Sequence, residues 1–245
     1  MKSTNKITKW LTRIVLVLVV LIVVAVGGFY IYTLDYYRAD PAAEVWINQV
    51  LASDQLTQTT VNNLTITKPA PDVDKQIGIV FYPGGKVEAK AYLPLLVQLS
   101  QKGYTTILVK MPMNLAVFNI NGALSAIEQV PKIDKWYIAG HSLGGAMASS
   151  MMEKHENTFK GMLLMGAYPL NDAAIPTLAL YGTYDLMLDL EQVKKADQIV
   201  EIVDGNHAQF GNYGEQEGDG TAKISREDQQ NQAVEVIDAF IGAQQ

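Results

Sequence analysis

From Gln76 onward, short runs of β-branched and aliphatic residues alternate with stretches of helical period, and this alternation limits the fold more than any other feature. The runs are IGIVFYP (77–83), YTTILVKMP (104–112), KWYIAG (135–140), FKGMLLMG (159–166), TLALYG (177–182) and IVEIVDG (199–205). Strands that are apolar at almost every position are buried on both faces. The pattern therefore predicts an α/β fold: a mostly parallel sheet with helices on both faces. Helical stretches are expected over about 88–102, over 114–130 with Asn114 as N-cap, and over 143–155. In the third, Leu143, Ala146, Met147, Ser150 and Met151 share one face. A last helix is expected from Ser225, where Asp228 three places on resembles a capping box. Upstream, TTVNNLTITKP (59–69) reads as one edge strand, and Asp40-Pro41 opens a short amphipathic segment.

The N-terminus has a different character. Residues 14–32, IVLVLVVLIVVAVGGFYIY, form an uninterrupted apolar run. As a helix it would be about 28 Å long, close to the thickness of a bilayer core. Lys2, Lys6, Lys9 and Arg13 precede it with no acidic residue among them, and tyrosines cluster at its far end. That asymmetry predicts a single-pass signal anchor in the cell membrane, with the N-terminus cytoplasmic and the rest extracytoplasmic. A cleaved signal peptide is the rival reading, although the run is long for one and no small-residue cleavage pattern follows it. The expected divisions are a cytoplasmic 1–13, a transmembrane helix 14–34, a juxtamembrane 35–57 and a globular 58–245.

Beyond the first 13 residues, 15 of the 19 basic residues face all 25 acidic ones, a net charge of −10. Phosphate would repel so acidic a domain, which argues against a nucleic-acid partner and leaves membrane lipid and a small molecule as partners. The chain has no Cys, which removes disulfides, thiolate metal sites and a thiol nucleophile together. No two of the three His have ligand spacing, and the acidic loop GNYGEQEGDG (211–220) does not match an EF-hand and reads as a solvated loop. Neither metal nor cofactor is expected.

Chemistry is signalled most clearly by IAGHSLGGAM, residues 138–147. Gly140-His141-Ser142-Leu143-Gly144 fits G-x-S-x-G and lies between a strand and an amphipathic helix, the setting that a nucleophile elbow requires. The glycines remove Cβ atoms where strand end and helix start approach, so Ser142 Oγ can project above the sheet edge. The Leu143 N–H, at the new helix's N-terminus, points at the same spot. Of the three His, His141 lies inside the elbow and His155 ends the following helix, which leaves His207, after the last strand, as the base. The acid that orients it should follow the preceding strand: Asp185 does so immediately, whereas Asp189 equally suits a helix N-cap. A second oxyanion donor is expected in the turn after the first parallel strand, YPGGK, at Gly85.

With YPGGK, GHSLGG, YGTYD and GNH in this order, the segment from about Gln76 to His207 resembles the α/β-hydrolase superfamily, in particular its compact branch near dienelactone-hydrolase-like proteins. The resemblance implies Ser142 as nucleophile, His207 as base, Asp185 as orienting acid, and Gly85 and Leu143 as oxyanion donors. Two departures stand out. The strand-end His-Gly pair common in that superfamily is Pro83-Gly84 here, and the connection AYPLNDAAIP leaves no room for a cap domain, implying an open site. A serine hydrolase cleaving a small ester through an acyl-enzyme is therefore expected. An idle copy of the fold, serving as a cell-surface binding module, is the alternative, and it would more often lack a triad member. With each buried CH₂ contributing ~0.8 kcal/mol, a shallow pocket favours short acyl groups of roughly two to six carbons without activation at a lipid interface. Met111 and Met113, at the same edge, are expected to supply its apolar wall.

Overall fold

The nearly continuous apolar runs IGIVFY and YTTILV suit a sheet covered on both faces, and every residue of both is buried. In a computed structural model, residues 4–53, 56–171 and 175–245 are described. One unit ends at Tyr36 and the next begins at Tyr37. The first unit holds helix α1 (Thr4–Leu34), whose stretch Thr8–Leu34 includes an 18-residue window with a mean hydropathy of 3.2 and is long and apolar enough to cross a membrane.

The second unit begins with α2 (Pro41–Ser53) and an eight-stranded sheet. Its strands are β1 (Thr57–Val61), β2 (Leu64–Lys68), β3 (Ile77–Tyr82), β4 (Tyr104–Val109), β5 (Lys135–His141), β6 (Met162–Met165), β7 (Thr177–Gly182) and β8 (Gln198–Ile202). The spatial order is β1-β2-β4-β3-β5-β6-β7-β8. β1 and β2 pair antiparallel with each other and β2 with β4; every pair from β4 to β8 is parallel. The intervening helices are α3 (Leu93–Gln101), α4 (Gly122–Ile127), α5 (Leu143–His155), α6 (Leu190–Val193) and α7 (Arg226–Gly242).

Alternate strand residues feed two cores. Ile79 and Phe81 pack with Leu95 and Leu99 of α3 and with Val234 and Ile237 of α7. Val80 and Tyr82 pack on the other face with Ala123 and Ala126 of α4 and with Ala148, Met151 and Met152 of α5. The period of two in the strands thus meets helical stripes on both sides. Because β4 and β5 flank β3 on opposite sides, the chain reverses direction across the sheet there. In an open parallel sheet, a crevice forms at such a reversal beyond the carboxyl ends of the strands.

Two expected elements differ from those observed. The single edge strand 59–69 is a hairpin, with Val61 opposite Leu64 and the two asparagines between them forming the turn. Asn62 sits at φ 54°, a left-handed conformation that asparagine adopts more readily than β-branched residues do. The expected helix 114–130 is mostly irregular: short 3₁₀ turns at Pro112–Asn114 and Ala116–Phe118 precede a helix of only six residues. Asn114 is not an N-cap. It and Met113 are left-handed, and the Asn114 carbonyl accepts the Lys86 N–H instead, which ties this connection to the turn after β3.

Candidate active site

Ser142 joins β5 to α5 at φ 52° and ψ −124°, a region that L-residues occupy at a cost of order 1–3 kcal/mol. The turn is enforced from both sides: the Ser142 N–H donates to Met165 O at the end of β6, and its carbonyl accepts from Ala146 N–H in the first turn of α5. Glycine is required by proximity. A Cβ on Gly140 would lie 2.5 Å from the Gly145 nitrogen, and one on Gly144 would lie 2.2 Å from the Tyr82 carbonyl oxygen. Ser142 itself is half-buried.

After β7, Asp185 is held by its N–H to Gly182 O, and its Oδ1 accepts the Met187 N–H. Its Oδ2 lies 2.8 Å from His207 Nδ1, with both side chains almost wholly inaccessible. A carboxylate only accepts, so Nδ1 carries a proton, and in the neutral imidazole it is Nε2 that presents the lone pair. That Nε2 is buried and has no hydrogen-bond partner among the described residues, Ser142 Oγ included. The pair is seated against Gly166, itself at φ 51°, where a Cβ would lie 2.7 Å from His207 Nδ1 and 3.2 Å from Asp185 Oδ2. Asp189 takes the other role open to it, capping α6 by accepting the Glu191 N–H. His155 ends α5, at the opposite end of that helix from Ser142.

The turn after β3 meets the elbow directly, since a Cβ on Gly85 would come 2.8 Å from Leu143 Cδ2. Around Gly85 the backbone N–H groups are spoken for: Gly84 donates to Tyr92 Oη, Lys86 to Asn114 O and Val87 to Gly84 O. The N–H groups of Gly85 and Leu143 donate no hydrogen bond among the described residues. Leu143 opens α5 and Gly85 lies against its side chain, and the N-terminus of a helix favours negative charge.

Residues that sequence patterns did not single out hold this arrangement. His141 Nε2 lies 3.0 Å from the His207 carbonyl, so it must donate, which leaves Nδ1 to accept from the Tyr92 hydroxyl at 2.8 Å. Tyr92 Oη in turn accepts the Gly84 N–H. A chain of three hydrogen bonds therefore joins the glycine turn, the elbow and the His207 loop. Burial, reinforced by the nearby His207, holds the His141 imidazole well below the usual histidine range, and burial raises the Tyr92 phenol. On α7, Gln229 grips Asn206 by both backbone groups: Oε1 accepts its N–H and Nε2 donates to its carbonyl. Asn206 Nδ2 reaches Gly220 O, and Asp219 Oδ2 accepts the Ala208 N–H. The acidic loop is thus a folded brace, with Tyr213 buried against Tyr37 and Tyr92, and not simply a solvated stretch. A polar Gln229 on the stripe that continues through Ala233 and Ile237 was the available signal.

The two methionines expected as one apolar wall are separated. Met111 is buried with Leu64, Ile66, Val109 and Ala116, because β2 and the 3₁₀ turn close over it, and it serves the core. Met113, left-handed and exposed, stays at the surface. Among the described residues, no group of three or more His, Asp or Glu is placed to hold a metal.

The family profile described as "Alpha/beta hydrolase family" matches residues 78–231, from β3 into α7. The chain belongs to the alpha/beta hydrolase family. Solved structures share the fold at low identity. A CIB-like hydrolase from Thermoplasma acidophilum is 14% identical, with a TM-score of 0.54 over 75% of this chain and 98% of that one. Est1E from Butyrivibrio proteoclasticus is 14% identical, with a TM-score of 0.53 over 76% and 99%. TT1662 from Thermus thermophilus is 13% identical, with a TM-score of 0.55 over 77% and 98%. No curated protein matches the sequence.

Proposed function

We propose that this alpha/beta hydrolase is a serine hydrolase that cleaves carboxylic esters through an acyl-enzyme, tethered to the cell membrane by α1 with its catalytic domain extracytoplasmic. The observation that carries the reading is the buried His207–Asp185 pair, which ties up His207 Nδ1 and leaves Nε2 unpartnered among the described residues, close to a strained serine turn.

In the acylation step, Ser142 Oγ attacks the ester carbonyl carbon and its proton passes to His207 Nε2. The carbonyl oxygen becomes an oxyanion that the N–H groups of Gly85 and Leu143 stabilise. Collapse breaks the bond to the alcohol oxygen, which leaves with the proton from Nε2. Water then repeats the sequence on the acyl-enzyme, and carboxylate and free Ser142 result. Asp185 stays ionised and holds the imidazole in the required tautomer. Hydrogen bonds between nucleophile and base are often absent in a free enzyme and form with substrate, so the lack of a direct Ser142–His207 bond is compatible with this role.

The connection from Met165 to Thr177 is too short to carry a cap domain, which supports a short scissile acyl group. A fluorophosphonate probe should label Ser142, and Ser142→Ala should abolish both labelling and ester turnover. Undiminished turnover in Ser142→Ala would falsify the serine mechanism.

A further inference from the structure

The parallel strands send every connection after β4, β6 and β7 to the edge of the sheet where Ser142 lies. Those connections carry large apolar side chains in the open: Met113, Val117 and Phe118 after β4, Leu170 after β6, and Leu186 and Met187 after β7. Leu186, directly beside Asp185, is 71% exposed. The opposite edge is different. Its connections 69–76, 102–103, 128–134 and 156–161 expose one large apolar residue, Val73, and bury Val130, Ile133 and Phe159. Exposed apolar groups gathered on one rim mark an interaction surface, whereas scattered ones do not.

The chain itself enters the domain at that same edge. The Tyr37 N–H donates to Lys86 O and its carbonyl accepts the Glu88 N–H, so Tyr37 bridges Val87, two residues beyond Gly85. The Tyr37 hydroxyl also accepts the Glu217 N–H. Only Asp35 and Tyr36 separate this attachment from Leu34, the last residue of the apolar helix. Three peptide steps reach at most about 11 Å.

We propose that the apolar rim around Ser142 docks on the surface of the lipid bilayer, and that the ester substrate is delivered from that bilayer. This rests on the serine-hydrolase reading and on α1 as a retained anchor. A tether fixed beside the glycine turn keeps the catalytic edge within reach of the lipid, and the rim gives that edge apolar groups to insert at the interface. The globular domain is strongly acidic, so attraction to anionic headgroups does not supply the contact and zwitterionic lipid suffices. Ester hydrolysis at such a surface need not draw a long acyl chain into the protein. The scissile carbonyl comes to Ser142 while the rest of the substrate stays among the lipids.

The absence of native Cys allows a direct test with the full chain in phosphatidylcholine vesicles. Single cysteines at Leu186, Phe118 and, as control, Val73 are labelled with an environment-sensitive fluorophore. Labels at 186 and 118 should shift to the blue and be quenched by lipid-borne nitroxides, and should remain so at molar salt, while the label at 73 reports water. Equal water exposure at all three positions, or release by salt, overturns the docking. In a second measurement, the double variant Leu186→Asp/Phe118→Asp should lower turnover of a vesicle-dissolved ester about tenfold while hydrolysis of water-soluble p-nitrophenyl acetate stays within about twofold. Equal loss on both substrates also overturns the proposal. If Ser142 fails to react with fluorophosphonate, the hydrolase reading falls while the fluorescence result still decides the docking.

Discussion

The His207 loop and the connection after β4 lie at the same sheet edge and are built on opposite rules. Around His207 almost every backbone group is answered by a particular side chain: Asn206 by Gln229, Ala208 by Asp219, the His207 carbonyl by His141. The segment from Met111 to Gly122 instead runs through short 3₁₀ turns and two left-handed residues, with Val117 and Phe118 in the open. Buried polar networks are costly unless complete, and complete ones define a single geometry. The lesson is that the geometry around His207 is set by specific polar partners, while the connection after β4 is held by its own short turns and leaves apolar groups exposed.

Breaking the polar side should have the larger consequences. Asp185→Asn leaves the shape but favours the wrong tautomer of His207, and kcat should fall by about 10⁴ in steady-state ester assays. A loss no larger than that from Asp189→Asn would remove Asp185 from its assigned role. Gln229→Leu strands the Asn206 N–H and carbonyl in the core. At about 1–3 kcal/mol per unsatisfied buried group, a clear drop in denaturant midpoint is expected together with reduced kcat. Tyr92→Phe withdraws the acceptor of Gly84 and the donor to His141. About tenfold in kcat with little change in KM would show that the relay positions the glycine turn, whereas wild-type kinetics would show that it does not.

A smaller effect concerns pH. Folding holds His141 neutral to a lower pH than the unfolded chain, where histidine titrates near about 6.5. Below that value the unfolded state binds the extra proton, so stability is complete above it and is lost as the pH falls toward the depressed folded value. Urea midpoints should decline between about pH 7 and pH 5, and the decline should be shallower in His141→Gln. On the other side of the comparison, Val117→Ser should shift stability by no more than about 0.5 kcal/mol. A large loss would mean that the connection after β4 is part of the core.

Much of the architecture was legible because strands buried on both faces leave near-continuous apolar runs, and the runs at 77, 104, 135 and 177 begin where those strands begin. The Ser225 cap was legible for a similarly local reason: its side chain accepts the Asp228 N–H three residues on. Contact between Asp185 and His207 followed from strand order, since each sits just past a strand on the same edge. What was not legible depended on distant partners. Residues 114–130 carry an apolar spacing that mimics a helix, yet the Asn114 carbonyl is drawn off by Lys86, and turns at Asn119 and Gly122 delay the helix. The Asn62 hairpin was concealed in a single alternating pattern. Met111 and Met113 are two residues apart with the same side chain, and only the fold separates core from surface. The Tyr92–His141 relay spans 49 residues of sequence, a separation that no local period encodes.

The attachment at Tyr37 also decides where mechanical load is borne. A pull applied through the N-terminal segment loads the two hydrogen bonds that Tyr37 makes to Lys86 and Glu88 before the Asp40 N–H bond to Asn212. Lys86 adjoins Gly85, and Asn212 follows the His207 turn. Tension carried by these bonds therefore reaches the glycine turn and the loop that follows His207 before it reaches the sheet.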